Sequence, residues 1–211
     1  MLGVNTVKNL ALSSAVLDRV SSKKDFRALN MDAFWRHSLC VGVTAKLIAK
    51  TRGADPKVLE EYFAAGLLHD IGKIPLNNAL AEEYVAAMSE ADRARASLVT
   101  AERNILQLDH CEAGGLVADN WRLTGAIADA VRWHHDLEGY SGENGDVLRT
   151  VAVANYFANR EEIGFSGNRY PDKISPETFG LLDIQKSLLE DLEEPVNAEI
   201  EKAKVFLKLG G

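Results

Sequence analysis

Leu67-Leu68-His69-Asp70-Ile71-Gly72-Lys73 is the stretch on which the reading of this chain turns. It closes an apolar helical run with an imidazole and a carboxylate on adjacent residues, and Gly72 and Pro75 then stop the helix. Side chains of these two types, held at a rigid exit, can reach one divalent ion together, and Lys73 can reach an anion beside them. The chemistry suggested is metal-assisted hydrolysis of a phosphate ester, with Asp70 and Lys73 as candidate catalytic residues. Taken alone, the pair better suits a histidine capping a helix C-terminus, so the other histidines have to shift the balance towards a metal.

The helix that delivers this stretch starts at Asp55-Pro56, a cap followed by proline at the first helical position, and carries Leu59, Phe63, Leu67 and Asp70 on one side. Upstream, Asp32 reads as the N-cap of a helix from Ala33 to Arg52, closed by Gly53. Val41, Thr44 and Ile48 stand at +4, +7 and +11 from His37, so His37 shares the buried face. Earlier still, Val7, Leu10, Ala11 and Leu17 mark a helix across Val4 to Val20.

Downstream, Ser89 and Asp92 read as a variant capping box opening a helix to Leu108 with a solvated, charged outer face. Asp109-His110 starts another, with Gly114, Val117 and Trp121 at +4, +7 and +11 from His110. Gly114 either leaves room for an ion or substrate or lets two helices pack closely. Thr124 caps a helix whose inner face is Ile127, Val131 and His134, with His135 adjacent. Two neighbours about 100° apart on a helix can address two ions, or one ion and its substrate. A helix from Asp146 to Arg160 places Leu148, Val151, Ala152 and the polar Asn155 on one side. Gly164, Gly167 and Pro171 set a long loop after Glu162, and helical patterning resumes from Pro176 to Leu209. No stretch alternates as a strand would, so the expected fold is all-α, one domain over residues 1–211.

An apolar share of 46% over 211 residues supports a proper buried core. The formal charge of -7, without a basic run, argues against a nucleic-acid groove or an anionic membrane surface. A phosphorylated substrate would then need local cations, which a metal supplies. Cys40 and Cys111 make no disulfide framework, and no signal peptide or membrane-spanning run is seen, which points to the cytoplasm. All five histidines, His37, His69, His110, His134 and His135, fall on inward helical faces or at helix ends. With Asp70 they make a donor set larger than the four of a tetrahedral zinc site, suited to two ions about 3.5–4 Å apart.

Phe34-Trp35-Arg36-His37-Ser38, Gly66 to Lys73, Asp109-His110 with Gly114, and Trp133-His134-His135, in that order, resemble the HDOD family, the "HD-related output domain" branch of the HD superfamily. Leu2-Gly3 through Leu12 is similar to the helix that family places before its histidine helix. The resemblance implies a helical bundle with a metal site in its centre, in a signalling module related to metal-dependent phosphohydrolases. It implies metal ligation by His37, His69, Asp70, His110, His134 and His135, with Lys73 near the phosphate; Arg36 is a further candidate to offset charge there. One or two divalent ions follow, iron or manganese first, with zinc, nickel or magnesium as alternatives. A nucleotide or cyclic dinucleotide is the implied substrate class, and a signalling protein the partner if the domain is regulatory instead of catalytic. The superfamily usually closes its site with an Asp on the late helix; here Asn155 of Val153-Ala154-Asn155-Tyr156 takes that place, a neutral and weaker donor. Asp136 and Asp146 are candidate substitutes, although neither stands at the matching position. Gly139-Tyr140 resembles the start of the HD-GYP signature, whose proline is Ser141 here. Full-length members carry a further helical segment ahead of the part seen, so the chain reads as lacking it.

Overall fold

The computed structural model describes residues 28–208, with side chains to Lys202, and among these it contains eleven helices and no strand. The helix expected across Val4 to Val20, and the side chains of the last turns, lie outside the described residues.

Helix α1 (Met31–Thr51) is the hub. Its cap is Asn30, whose Oδ1 accepts from the Ala33 N–H at 2.9 Å. Asp32, expected as the cap, instead stands in the first turn, where its charge meets the positive end of the helix dipole. At the far end Gly53 adopts φ +80°, and the Gly53 and Ala54 N–H groups bond to the Lys50 and Ala49 carbonyls, a Schellman closure. Helix α2 (Leu59–Leu68) starts later than expected, since Asp55 accepts from the Lys57 N–H in a preceding turn. Gly72 and Pro75 do not end helical structure there: α3 (Lys73–Ala79) follows at once. Pro75 is its third residue, a position whose N–H has no intrahelical partner to lose.

The long helix expected to run to Leu108 is two, α4 (Ala81–Ala94) and α5 (Leu98–Leu106). Ser89 and Asp92 sit inside α4; the break is Arg95, a left-handed residue at φ 50° with no glycine to announce it. Then come α6 (His110–Asn120), α7 (Gly125–Trp133) and α8 (Gly145–Arg160), as anticipated, followed by α9 (Pro176–Leu181), α10 (Leu188–Asp191) and α11 (Glu193–Lys208).

Helix α1 packs on α2, α8 and α11, while α2 also packs on α7 and α8. One apolar cluster gathers Val41, Ile48, Phe63, Val151 and Phe157; a second gathers Phe34, Ile71, Tyr84, Leu98 and Val131. Helices α1 and α2 cross on glycine: a Cβ on Gly66 would come within 2.8 Å of the Gly42 Cα. That close approach is what lets His37 and His69 face one another, ring centroids 5.8 Å apart. No helix among the described residues is long and apolar enough to cross a membrane.

Arg52 ties α1 to α8. Its two terminal nitrogens donate to Asp146 at 2.9 and 2.7 Å, and the Tyr62 hydroxyl donates to the same carboxylate at 2.5 Å. The Arg52 hydrogen bonds hold Asp146 below its ordinary value of 3.8. A depressed folded value means stabilisation that is present above the ordinary carboxylate range and is lost as pH falls through the folded value. Asp146 is 45% exposed, so Asp146→Asn is expected to cost only about 1 kcal/mol at neutral pH. Chemical denaturation should show that difference shrinking as pH falls below the ordinary carboxylate range.

Candidate metal centre

Each histidine reaches the centre for a local reason. His69 ends α2, and its Nδ1–H donates back to the Gly66 carbonyl at 2.7 Å, one of the acceptors that every helix C-terminus leaves unpaired. His134 ends α7 in the same manner, with Nδ1–H on the Ala130 carbonyl at 2.8 Å. The capping reading of His69 and the ligand reading are therefore compatible: the cap fixes the tautomer and aims Nε2 inward. His110 is the first residue of α6 behind a capping box of Asp109 and Glu112, and its Nδ1 lies 2.5 Å from Glu102 Oε2. His37 comes from the buried face of α1, its Nε2 3.1 Å from Asn155 Oδ1. His135 Nδ1 faces Asp172 at 3.4 Å.

Asp70 stands among them, fully buried. Its Oδ2 lies 3.3 Å from His69 Nε2 and 4.0 Å from His37 Nε2; its Oδ1 lies 3.4 Å from His110 Nε2 and 3.5 Å from His134 Nε2. The two carboxylate oxygens thus face two different histidine groups. Two sets of donor atoms are close enough to share an ion: His37, His69 and Asp70, and His110, His134 and His135.

The residues fit a divalent ion. His69 Nε2, Asp70 Oδ1 and His135 Nε2 are buried with no hydrogen-bond partner, an arrangement that is costly unless a cation completes it. His110 Nε2 and His134 Nε2 are 3.3 Å apart, and with the Ala130 carbonyl taking Nδ1–H of His134 its Nε2 is left as a lone pair that a proton or a metal ion can satisfy. Without metal a proton can take that place: burial opposes it, yet Cys111 and the nearby Asp70 carboxylate carry His134 up to about 9. Burial drives His37 down to about 3, and burial with the neighbouring His134 does the same for His135. Burial works against Asp70 ionising, but His69 and Lys73 outweigh it and hold the carboxyl well below the usual range. The neutral His37 and His135 beside an ionised Asp70 are in the protonation state a metal requires, and His134 would release its proton to an incoming ion.

Lys73 is buried and donates to Asp70 Oδ2 at 2.7 Å and to the Ser166 carbonyl at 3.2 Å. Arg36 is exposed, so of the two expected cations only Lys73 sits in the centre. Asn155 Oδ1 is held by a 2.7 Å hydrogen bond from Asn159 Nδ2, which fixes the amide with its oxygen towards His37. Neither proposed substitute for the missing Asp occupies its place. Asp146 is engaged by Arg52 and Tyr62, and Asp136 is exposed and accepts from the Gly139 N–H. Tyr140 is likewise engaged elsewhere, its hydroxyl donating to Asp129. Gly114 serves packing: a Cβ there would meet Val131 Cγ1 at 2.6 Å.

The loop after α8 covers the centre. Gly164, at φ +75°, lies so close on α1 that a Cβ would fall 2.3 Å from the His37 nitrogen, and the Phe165 N–H bonds to the Ala33 carbonyl. Beside it a cavity of about 270 Å³ reaches His134, His135 and Asn155, with Asp136, Glu138 and Asp172 also in its wall. Sequence reasoning missed Glu102, Asn159 and Asp172. Glu102 could have been found, since it lies four residues beyond the buried Leu98 and next to the buried Ala101; it is itself fully buried, not solvated. Asp172 lies in an irregular loop and carried no signal.

The chain belongs to the HDOD family, whose HDOD domain model matches residues 1–137 and so spans all five histidines and Asp70 but not Asn155. It is 26% identical over 163 residues to an uncharacterized protein of Treponema pallidum (strain Nichols), which covers 73% of this chain and 29% of that protein. The chain thus spans less than a third of that curated relative. Its fold is similar to an HDOD domain protein with unknown function from Geobacter sulfurreducens, at TM-score 0.78 and 26% identity over 96% of this chain and 70% of that one. A Shewanella amazonensis SB2B structure, provisionally named a phosphohydrolase, shares the fold at TM-score 0.68 and 22% identity, covering 92% of this chain and 69% of that one.

Proposed function

We propose that this HDOD domain binds one or two divalent ions, iron or manganese first, and hydrolyses a phosphoester of a nucleotide or cyclic dinucleotide. The observation that carries the reading is Asp70, whose two oxygens face opposite histidine groups among buried donor atoms that lack partners. His37, His69, His110, His134 and His135 would hold the ions with Asp70. When bound, such ions supply Lewis acidity, activating water and neutralising phosphoryl charge.

The chain's own residues do the rest. Lys73 brings a fixed positive charge to Asp70, where it would offset charge growing on a phosphoryl group. Asn155, locked by Asn159, offers an oxygen beside His37. In the loop after α8, Gly164 packs on His37 and Ser166 accepts from Lys73, while Pro171 to Ser175 wall the cavity that reaches His134 and His135. A cavity of about 270 Å³ is at the lower edge of small-ligand sites, so it would take the phosphoryl end with the remainder of a nucleotide outside. The free, buried Cys40 and Cys111 suit a reducing cytoplasm.

A second reading, a regulatory domain that binds a signalling protein and keeps its metal without turnover, is favoured by two observations. Asn155 is neutral where a carboxylate would help hold the ions, and the cavity wall adds the acidic Asp136, Glu138 and Asp172, which disfavour a phosphate. The test is phosphate or nitrophenol release by manganese- and iron-reconstituted chain from p-nitrophenyl phosphate, bis(p-nitrophenyl) phosphate and cyclic di-GMP. Turnover that falls at least 100-fold in His134→Ala supports hydrolysis. Absence of turnover in the wild type, with turnover appearing in Asn155→Asp, supports the regulatory reading.

A further inference from the structure

Glu102 is a buried carboxylate that metal ligation does not use directly. It lies on α5, with 0% exposure, and three donors converge on it. The His110 backbone N–H donates to Oε2 at 3.0 Å, His110 Nδ1 meets the same oxygen at 2.5 Å, and the Tyr84 hydroxyl donates to Oε1 at 2.9 Å. Tyr84 is itself fully buried, and α5 packs against α4, which carries it. A buried carboxylate is held this way at a cost in desolvation that apolar packing would avoid. Such an arrangement calls for a partner whose charge it serves.

That partner is His110. Among the centre's histidines, His69 and His134 lean on backbone carbonyls, which are neutral, and His135 meets a carboxylate on an exposed loop residue. Only His110 is backed by a fully buried acid. A carboxylate accepting Nδ1–H fixes the tautomer, pushes electron density to Nε2 and makes the imidazole a stronger donor. The centre itself contains a single carboxylate, Asp70, already shared with Lys73, because Asn155 is neutral.

We infer that Glu102 is a positioning residue that supplies, through His110, the second negative charge this metal centre lacks at Asn155. The inference rests on the reading that Asp70 and the histidines bind a divalent ion. It predicts that metal affinity depends on the charge of residue 102 and not merely on its shape. Glu102→Gln separates the two, since the glutamine carbonyl still accepts from His110 Nδ1–H while the charge is gone.

The experiment titrates chelator-stripped protein with Mn²⁺, following loss of the free ion's electron paramagnetic resonance signal. Glu102→Gln is expected to weaken binding about 10- to 100-fold, with the stripped variant retaining its helical circular dichroism. Equal affinities, within about twofold, would overturn the inference while leaving a metal-binding wild type and the proposed function intact. A wild type that binds no Mn²⁺ would overturn both. If Glu102→Gln does not fold, ¹⁵N-histidine NMR of the stripped wild type decides. His110 is expected as the Nδ1–H tautomer with a strongly downfield proton; the Nε2–H tautomer would overturn the inference.

Discussion

Asp70→Asn is expected to abolish metal binding and, in the metal-free chain, to cost about 3–5 kcal/mol of stability. The first effect follows because no other ligand candidate faces both histidine groups. The second follows because Lys73, 1% exposed, donates to Asp70 at 2.7 Å and would be left as a buried ammonium with only the Ser166 carbonyl. Loss of activity in a single Asp70 variant is therefore no evidence of catalysis unless the stability loss is repaired. The double variant Asp70→Asn with Lys73→Met removes both charges and is expected to recover most of the stability but none of the metal binding. Urea denaturation of stripped proteins measures the first quantity and Mn²⁺ titration the second. A stripped Asp70→Asn chain as stable as wild type would contradict the ion-pair account.

Gly72→Ala is expected to be as damaging, about 3–5 kcal/mol or outright failure to fold, without touching a ligand. An added Cβ would fall 1.9 Å from the His110 carbonyl oxygen and 2.4 Å from the Gly114 nitrogen. Both are backbone atoms, so the neighbour cannot swing away and the turn after Asp70 would have to leave α6. His110 would leave with it, so metal affinity should fall in step with stability. Gly114→Ala meets the Val131 side chain instead, which can move, and should cost less, about 1–3 kcal/mol. Thermal melts of the two variants beside wild type test the ranking; a Gly72→Ala chain within about 1 kcal/mol of wild type would show that the contact is loose.

Much of this architecture was legible because ligand type and helical period coincide. His37 and His110 each head a stripe at +4, +7 and +11, and a helix buries such a stripe whatever its partner, so both are fully buried in the structure. His69-Asp70 could be placed because Gly72 marked the turn. What was not legible had no local cause. Arg95 and Gln107 end helices in left-handed conformations normally given to glycine, so the division of α4 from α5 had no punctuation. Asp32 beside Asn30 offered two caps, and only the geometry of the entering chain selects between them. Glu102 was hidden because a charge on an apolar stripe is ordinarily solvated, and its partner is eight residues on in the next helix. Asp172 and Ser166 reach the centre from an irregular loop, where spacing carries no direction.

The departure at Asn155 was visible as a residue but not as a geometry. Asn159, one turn on, orients the amide, and nothing in Val153-Ala154-Asn155-Tyr156 marks that hydrogen bond. Both candidate substitutes were plausible by proximity in sequence, yet Arg52 and Tyr62 claim one and solvent the other. The centre is consequently carboxylate-poor, which bears on how many ions it holds and on whether it turns over substrate.

Elemental analysis of freshly purified, untagged protein, scored as ions per chain, tests the central claim most directly. About one to two equivalents of iron or manganese are expected, with Asp70→Asn carrying none. No bound divalent ion, even after anaerobic reconstitution with Fe²⁺ or Mn²⁺, would contradict a metal centre at Asp70 and the histidines.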